Sequence, residues 1–269
     1  MTELVKLIHH PQGIAECVLS RPDKMNALSP ELIDEIIRVG ESLVNDSQVR
    51  AVIVRGEGRA FCAGIDLDSL LRMQSDEGKL VVSNLSERTH GDSNRFQRVA
   101  MVWRDIPVPV IAAIHGVAFG GGIQIAMGAD IRLIAPDARM SVMEIKWGLI
   151  PDMAGMVLMR GLVREDIARE LIFTGRIVDA TEAVSIGLAT RVVDDPLAVA
   201  MTMAGELCQK SPTALRAAKR LMGHWTIASD QDLLLAEADE QSRLLGAEHQ
   251  IEAVTANLQK RVPVFKNNQ

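Results

Sequence analysis

Short apolar runs alternate with segments of helical period along the first two thirds of the chain. "AECVLS" (Ala15 to Ser20) and "VRAVIVRG" (Val49 to Gly56) read as strands. Between them, "SPELIDEIIRVGESLVND" places Leu32, Ile36, Val39 and Leu43 on one helical face, with Ser29 as N-cap and Pro30 at the first helical position, where a missing N–H costs nothing. Further on, "PVIAAIHG" (Pro109 to Gly116) predicts another strand, "VAFGGG" a glycine turn leading into the helix "IQIAMGA", and "DIRLIAPD" (Asp130 to Asp137) the strand that returns. The recurrence of strand, turn and helix predicts an α/β core. From Leu158 onward the pattern is helical, through "REDIARELIFTG", "DATEAVSIGLA" and "PLAVAMTMAGELCQKSP" to one long segment, "DQDLLLAEADEQSRLLGAEHQIEAVTANLQKR". The polar, charge-mixed stretch from Leu70 to Trp103 reads either as a loop feeding a helix beside a pocket or as a solvated insertion.

The composition narrows the functions such a core can carry. At 269 residues and 48% hydrophobic, the chain can bury one large core or a core with an appendage. A net charge of -6, no tyrosine and 3% aromatic residues leave neither the positive surface nor the stacking surface that nucleic acid requires. Cys17, Cys62 and Cys208 are odd in number and form no CxxC pair, which predicts reduced thiols and a cytoplasmic setting. The N-terminus "MTELVKLIHH" lacks the basic and apolar regions of a leader, and no run approaches the roughly 18 apolar residues of a membrane span.

Two glycine-containing turns carry the candidate chemistry. Gly120, Gly121 and Gly122 sit between a strand and a helix expected to begin at Gly122, so the backbone can approach a ligand with bare N–H groups and a helix N-terminus behind them. "GRAFCAGIDL" (Gly58 to Leu67) offers a second such turn where the strand "AVIVRG" stops. Each turn alone reads more readily as a tight connection; together they could supply two N–H groups to a developing oxyanion. "HGVAFGGG" fits neither GxGxxG nor GxxxxGK[ST], so a nucleotide-phosphate loop is the weaker reading.

"LSRPDKMNALSP" (Leu19 to Pro30), "GRAFCAGIDL" and "PVIAAIHGVAFGGGIQIAMGADIRL" (Pro109 to Leu133) resemble, in order and spacing, the signature segments of the crotonase superfamily, the enoyl-CoA hydratase/isomerase family. "ARMSVMEIKWGLIPDMAG" (Ala138 to Gly155) is similar to its catalytic loop and "NLQKRVPVFK" (Asn257 to Lys266) to its C-terminal end, so the likeness spans nearly the whole chain. The resemblance implies a spiral of ββα units over residues 1–200 that binds acyl-CoA, followed over 201–269 by a helical region making homotrimers, often stacked as hexamers. It also implies an oxyanion hole from the backbone N–H groups of Ile65 and Gly121, with an acyl-CoA thioester as substrate and no cofactor beyond the coenzyme A that the substrate carries. Ala63, Ile65 and Asp66 would receive the adenine, Arg21 and Lys24 would approach the CoA phosphates, and Lys260 would reach the CoA held by a neighbouring subunit.

The carboxylates then select the reaction. A hydratase of this family uses two glutamates; here Gln124 occupies the first position, where an amide can orient water or substrate but exchanges no proton. Glu144 occupies the second, among Val142, Met143, Ile145 and Trp147, where desolvation would raise its proton affinity. Asp152 stands where the dienoyl-CoA isomerase branch carries a catalytic aspartate, and Leu70 to Trp103 and His115 also resemble that branch, although Gln124 replaces its aspartate. The expected activity is therefore an enoyl- or dienoyl-CoA double-bond isomerase, with enoyl-CoA hydratase as the alternative and a silent CoA-binding or RNA-binding member as a third class. Cys62, with no basic neighbour, is expected to pack rather than react, His115 to brace the second glycine turn, and the methionines around Met153 to fill core or an acyl pocket. The histidines show no ligand spacing, so no metal is expected.

Overall fold

The computed structural model describes residues 3–72 and 84–266. A six-stranded sheet runs in the order β1-β2-β3-β4-β6-β9, formed by Val5–His10, Ile14–Leu19, Ala51–Gly56, Val110–Ile114, Ile131–Ile134 and Arg191–Val192. β1 is antiparallel to β2, and every other pair is parallel. A smaller sheet joins β5 (Val117–Phe119), β7 (Arg139–Ser141) and β8 (Val178–Asp179).

The two sheets grow together. After β4 the chain adds β5 to the second sheet and enters helix Gly121–Gly128; after β6 it adds β7 and enters the turn Glu144–Trp147. The same step occurs in shorter form earlier. Past β3, Cys62 bridges Ala118 and Ile65 bridges Leu28 before helix Leu67–Arg72, and past β2, Leu28 precedes helix Pro30–Val44. Each unit thus lays one strand in the first sheet, one extended segment in the second layer, and a helix. This is the expected spiral of ββα units.

Parallel strands covered on both faces must be apolar on both, and β2 and β4 are buried at every position. Side chains alternate across the pleat: Val52 and Val54 face the core shared with Ile36 and Trp103, while Ala51 and Ile53 meet Ala200 and Ala204 of helix Pro196–Cys208. The expected division after residue 200 therefore falls inside a helix packed on the sheet. Ser29 caps helix Pro30–Val44 as expected, accepting the Leu32 N–H at 3.3 Å. The long C-terminal segment is two helices, Asp230–Leu244 and Glu248–Leu258, parted at Gly246 in left-handed conformation (φ 75°). Of the polar stretch after Leu70, helix Arg95–Asp105 packs on Pro30–Val44, and residues 73–83 lie outside the described residues.

Candidate active site

The two glycine turns meet edge to edge. Cys62 N–H donates to Val117 O at 3.0 Å and Phe119 N–H to Cys62 O at 3.0 Å, which laces the first turn to the second. Gly64 (φ 88°) and Gly120 (φ 52°) hold left-handed conformations at the contact, where a Cβ on Gly64 would lie 2.7 Å from Phe119 O. The helix begins at Gly121, one residue earlier than expected, so that Gly121 occupies the first helical position, where N–H groups have no acceptor within the helix. Among the described residues, no acceptor takes the N–H of Ile65 or of Gly121. Both residues line a cavity of about 500 Å³. Two free donors at the rim of one cavity are what a carbonyl oxygen gaining charge requires.

Asn26, which the sequence reading passed over, builds this rim. Fully buried, it donates through Nδ2 to Ala60 O at 2.8 Å and Phe61 O at 3.2 Å, and accepts the Arg21 N–H at 2.8 Å. The Ala63 N–H donates to Met25 O at 2.9 Å, and Cys62 Sγ donates to Asn26 O at 3.1 Å. Burial pushes the Cys62 thiol up to about 12, so it stays a packed thiol. His115 donates from Nε2 to Gly58 O at 3.0 Å and so braces the first glycine turn rather than the second.

Beside the second glycine turn stands Glu144, at the head of the turn Glu144–Trp147 and only 9% exposed, with its Oε1 3.4 Å from where a Cβ on Gly120 would lie. Its Oε1 accepts from Gln124 Nε2 at 2.6 Å, while Oε2 is buried without a hydrogen-bond partner. Desolvation raises the Glu144 carboxyl above its usual range, and the negative charge of Asp152 adds to the rise, against the Gln124 N–H, which favours the ionised form. Asp152 lines the same cavity; its side chain reaches solvent, yet the recess strips enough water from the carboxyl to raise it too. Met143, Trp147, Leu149 and Met153 supply the apolar wall between them.

The remaining expected residues divide. Lys24, Ala63 and Asp66 line the cavity, and Lys24 forms a loose surface pair with Asp68 at 3.2 Å that leaves its ammonium available. Arg21 differs from expectation: it turns inward, paired with the buried Asp66 at 2.5 Å and donating to Ala27 O at 2.7 Å, because the buried carboxylate needs a counter-charge. Asp66 is accordingly held by Arg21 and by the Asp68 N–H at 2.8 Å rather than free for a ligand. Gln124 also differs, since both its polar atoms are taken by the protein: its Oε1 accepts the Gly155 N–H at 2.8 Å. Lys260 is exposed beyond helix Glu248–Leu258 and away from the cavity lining. Among the described residues no group of three or more His, Cys, Asp or Glu is placed to hold a metal, and no helix is long and apolar enough to cross a membrane.

A family model described as enoyl-CoA hydratase/isomerase matches residues 9–268. The chain is 30% identical over 258 residues to a mitochondrial Delta(3,5)-Delta(2,4)-dienoyl-CoA isomerase of Dictyostelium discoideum, covering 95% of this chain and 88% of that protein. It is 31% identical over 272 residues to a short-chain-enoyl-CoA hydratase of Clostridium acetobutylicum, covering 98% and 99%. The crystal structure of an enoyl-CoA hydratase from Bacillus anthracis superposes with a TM-score of 0.89 at 27% identity, over 98% of this chain and all of that one.

Proposed function

The chain belongs to the enoyl-CoA hydratase/isomerase family and acts on acyl-CoA, and on that premise we propose that it moves the double bond of an enoyl- or dienoyl-CoA thioester rather than adding water to it. The thioester oxygen sits between the N–H groups of Ile65 and Gly121. The Glu144 carboxylate takes the proton from C2, the C2–H electron pair passes into the thioester, and the oxyanion donors hold the resulting enolate. For a 3,5-diene the displaced double bonds carry the negative charge to C6, where protonated Asp152 returns a proton. Glu144 then holds the C2 proton and Asp152 is left ionised, and exchange through water at the cavity mouth resets the pair. Electrons move only within the substrate, so the step requires no redox cofactor.

One observation carries this reading: Glu144 and Asp152 line the same cavity, burial holds both carboxyls above their usual range, and an amide stands at position 124. Two carboxyls of raised proton affinity facing one cavity suit a two-site proton transfer. Hydration is the competing reading, favoured by the equal likeness to a hydratase. It would need a second group to activate water, where Gln124 has both polar atoms engaged. The CoA portion lies along Lys24, Ala63 and Asp66, and Lys260 meets the CoA of a neighbouring copy in a homotrimer or a dimer of trimers. The exposed Trp225 and Ile227, in the turn before helix Asp230–Leu244, and Leu234 and Leu235 on that helix support such an assembly. The test is turnover of 2-enoyl-, 3-enoyl- and 3,5-dienoyl-CoA side by side. Faster isomerisation than hydration supports the reading, and hydration as the dominant reaction replaces it.

A further inference from the structure

Gln124 is fully buried on helix Gly121–Gly128, and its amide has one possible orientation. The Gly155 N–H can only donate, and it donates to Oε1; the atom facing Glu144 is therefore Nε2, which donates to Glu144 Oε1. A flipped amide would set N–H against N–H at one end and carbonyl against carboxylate at the other. Gly155 is closed around the contact, since a Cβ there would come within 2.6 Å of Gln124 Oε1. One oxygen of Glu144 is thus tied, and the other is buried and free.

We infer that Gln124 is a positioning residue for Glu144: the relay from Gly155 N–H through the Gln124 amide fixes the rotation of the carboxyl group in the cavity wall and favours its ionised form. This rests on the reading of Glu144 as the base of an acyl-CoA isomerase and adds how that base is aimed. The amide exchanges no proton itself, so the wall it shares with Glu144 titrates as one group. Asp152 acts on Glu144 from across the cavity, whereas Lys146 lies over the Trp147 ring. On helix Glu165–Thr174, packed against the turn, Glu165, Asp166 and Glu170 are paired with Arg169, Arg164 and Arg176. At the other rim, Arg21 and Lys24 are paired with Asp66 and Asp68.

Two substitutions test the relay. Gln124→Met keeps the volume and loses the donor. Its turnover should fall about 10- to 100-fold with KM within about threefold, and the low-pH limb of kcat should move up by about half a pH unit or more, because the ionised carboxylate has lost its N–H. Gln124→Glu keeps the shape and an acceptor for the Gly155 N–H, so a folded variant remains available. It sets two carboxyls in hydrogen-bond contact, which cannot both ionise easily, and the limb should rise further and split into two steps. A substrate-free readout separates this inference from the functional reading: the Glu144 carboxyl, followed by carbon-13 NMR or isotope-edited infrared spectroscopy, should titrate higher in Gln124→Met than in the parent. An unchanged titration, or a Gln124→Met enzyme with parental kcat and pH limb, overturns the relay whatever the substrate proves to be. A shifted titration in an enzyme inactive on every acyl-CoA upholds the relay and overturns the functional reading.

Discussion

Replacing Glu144 by glutamine exchanges one carboxylate oxygen for an NH₂ group, and the neighbours dictate which one. Gln124 Nε2 is a donor and requires an acceptor, so the new amide turns its oxygen to Gln124 and leaves its NH₂ where Oε2 stood. The side chain then offers the reacting C–H no carboxylate to take its proton. Loss of a positioned general base costs about 10²- to 10⁴-fold in kcat; at about 1.36 kcal/mol per decade that is roughly 3–5 kcal/mol of transition-state stabilisation. Binding should survive, because the donors at Ile65 and Gly121 and the CoA-facing surface are untouched. The assay is turnover together with exchange of the C2 hydrogen into D₂O, against the thioester Kd from calorimetry. The same variant has a stability signature. Burial raises the folded-state proton affinity of Glu144, so its contribution is fully present below the unfolded glutamate value of about 4.3 and is lost as pH rises through the raised folded value. Glu144→Gln should therefore gain stability relative to the parent across that window and hold the gain above it. A variant turning over within about fivefold of the parent, with C2 exchange intact, would refute the role given to Glu144.

Gly64→Ala places a Cβ 2.7 Å from Phe119 O in a left-handed residue, so the two turns must part. We expect a loss of about 1–3 kcal/mol of stability by thermal melt and a larger loss of kcat, and parental values for both would contradict the docking of the turns. Asp66→Asn keeps the shape but removes the charge opposite Arg21, at a cost of about 1–3 kcal/mol near neutral pH in urea unfolding. Burial raises the Asp66 carboxyl, but the Arg21 guanidinium and the Asp68 and Ser69 N–H groups outweigh it and hold it below its usual range. The parent's advantage should accordingly shrink as pH falls below about 5, toward the unfolded aspartate value of about 3.9, and vanish once the folded carboxyl protonates. A gap independent of pH would show that the pair contributes by packing alone.

Much of the site was legible because its parts are local. Ser29 and Pro30 announce a helix start, the glycine runs announce close backbone approach, and the apolar company of Glu144 announces a raised carboxyl. What escaped depends on distance in the chain or on brevity. β5, β7 and β8 are two or three residues long, too short for any period to register. β1 ends in two histidines and shows no clean alternation, as an edge strand with a polar outer face allows. Gly246 inside a helical pattern looks like a tolerated glycine until its left-handed conformation breaks the helix in two. Arg21 reads as a surface cation in "SRPDK", and only the buried Asp66, 45 positions on, turns it inward. The Gly155 N–H has no sequence signature at all, and its partner Gln124 is 31 residues away. The left-handed Met25–Asn26 pair could have pointed to Asn26 as the bracket of the first glycine turn, since asparagine is among the few residues that adopt this conformation readily.

The central claim is that proton removal and proton return belong to different carboxyls, Glu144 and Asp152. It is tested most directly by following one substrate, a 3,5-dienoyl-CoA, in D₂O with the parent and with Asp152→Asn, reading both the formation of the 2,4-diene and the deuterium entering C2. The account predicts that Asp152→Asn forms the 2,4-diene at least about 10²-fold more slowly while C2 exchange persists, because Glu144 still makes the enolate and only the distal return is lost. Parental diene formation in Asp152→Asn, or loss of C2 exchange along with it, would contradict the division of labour.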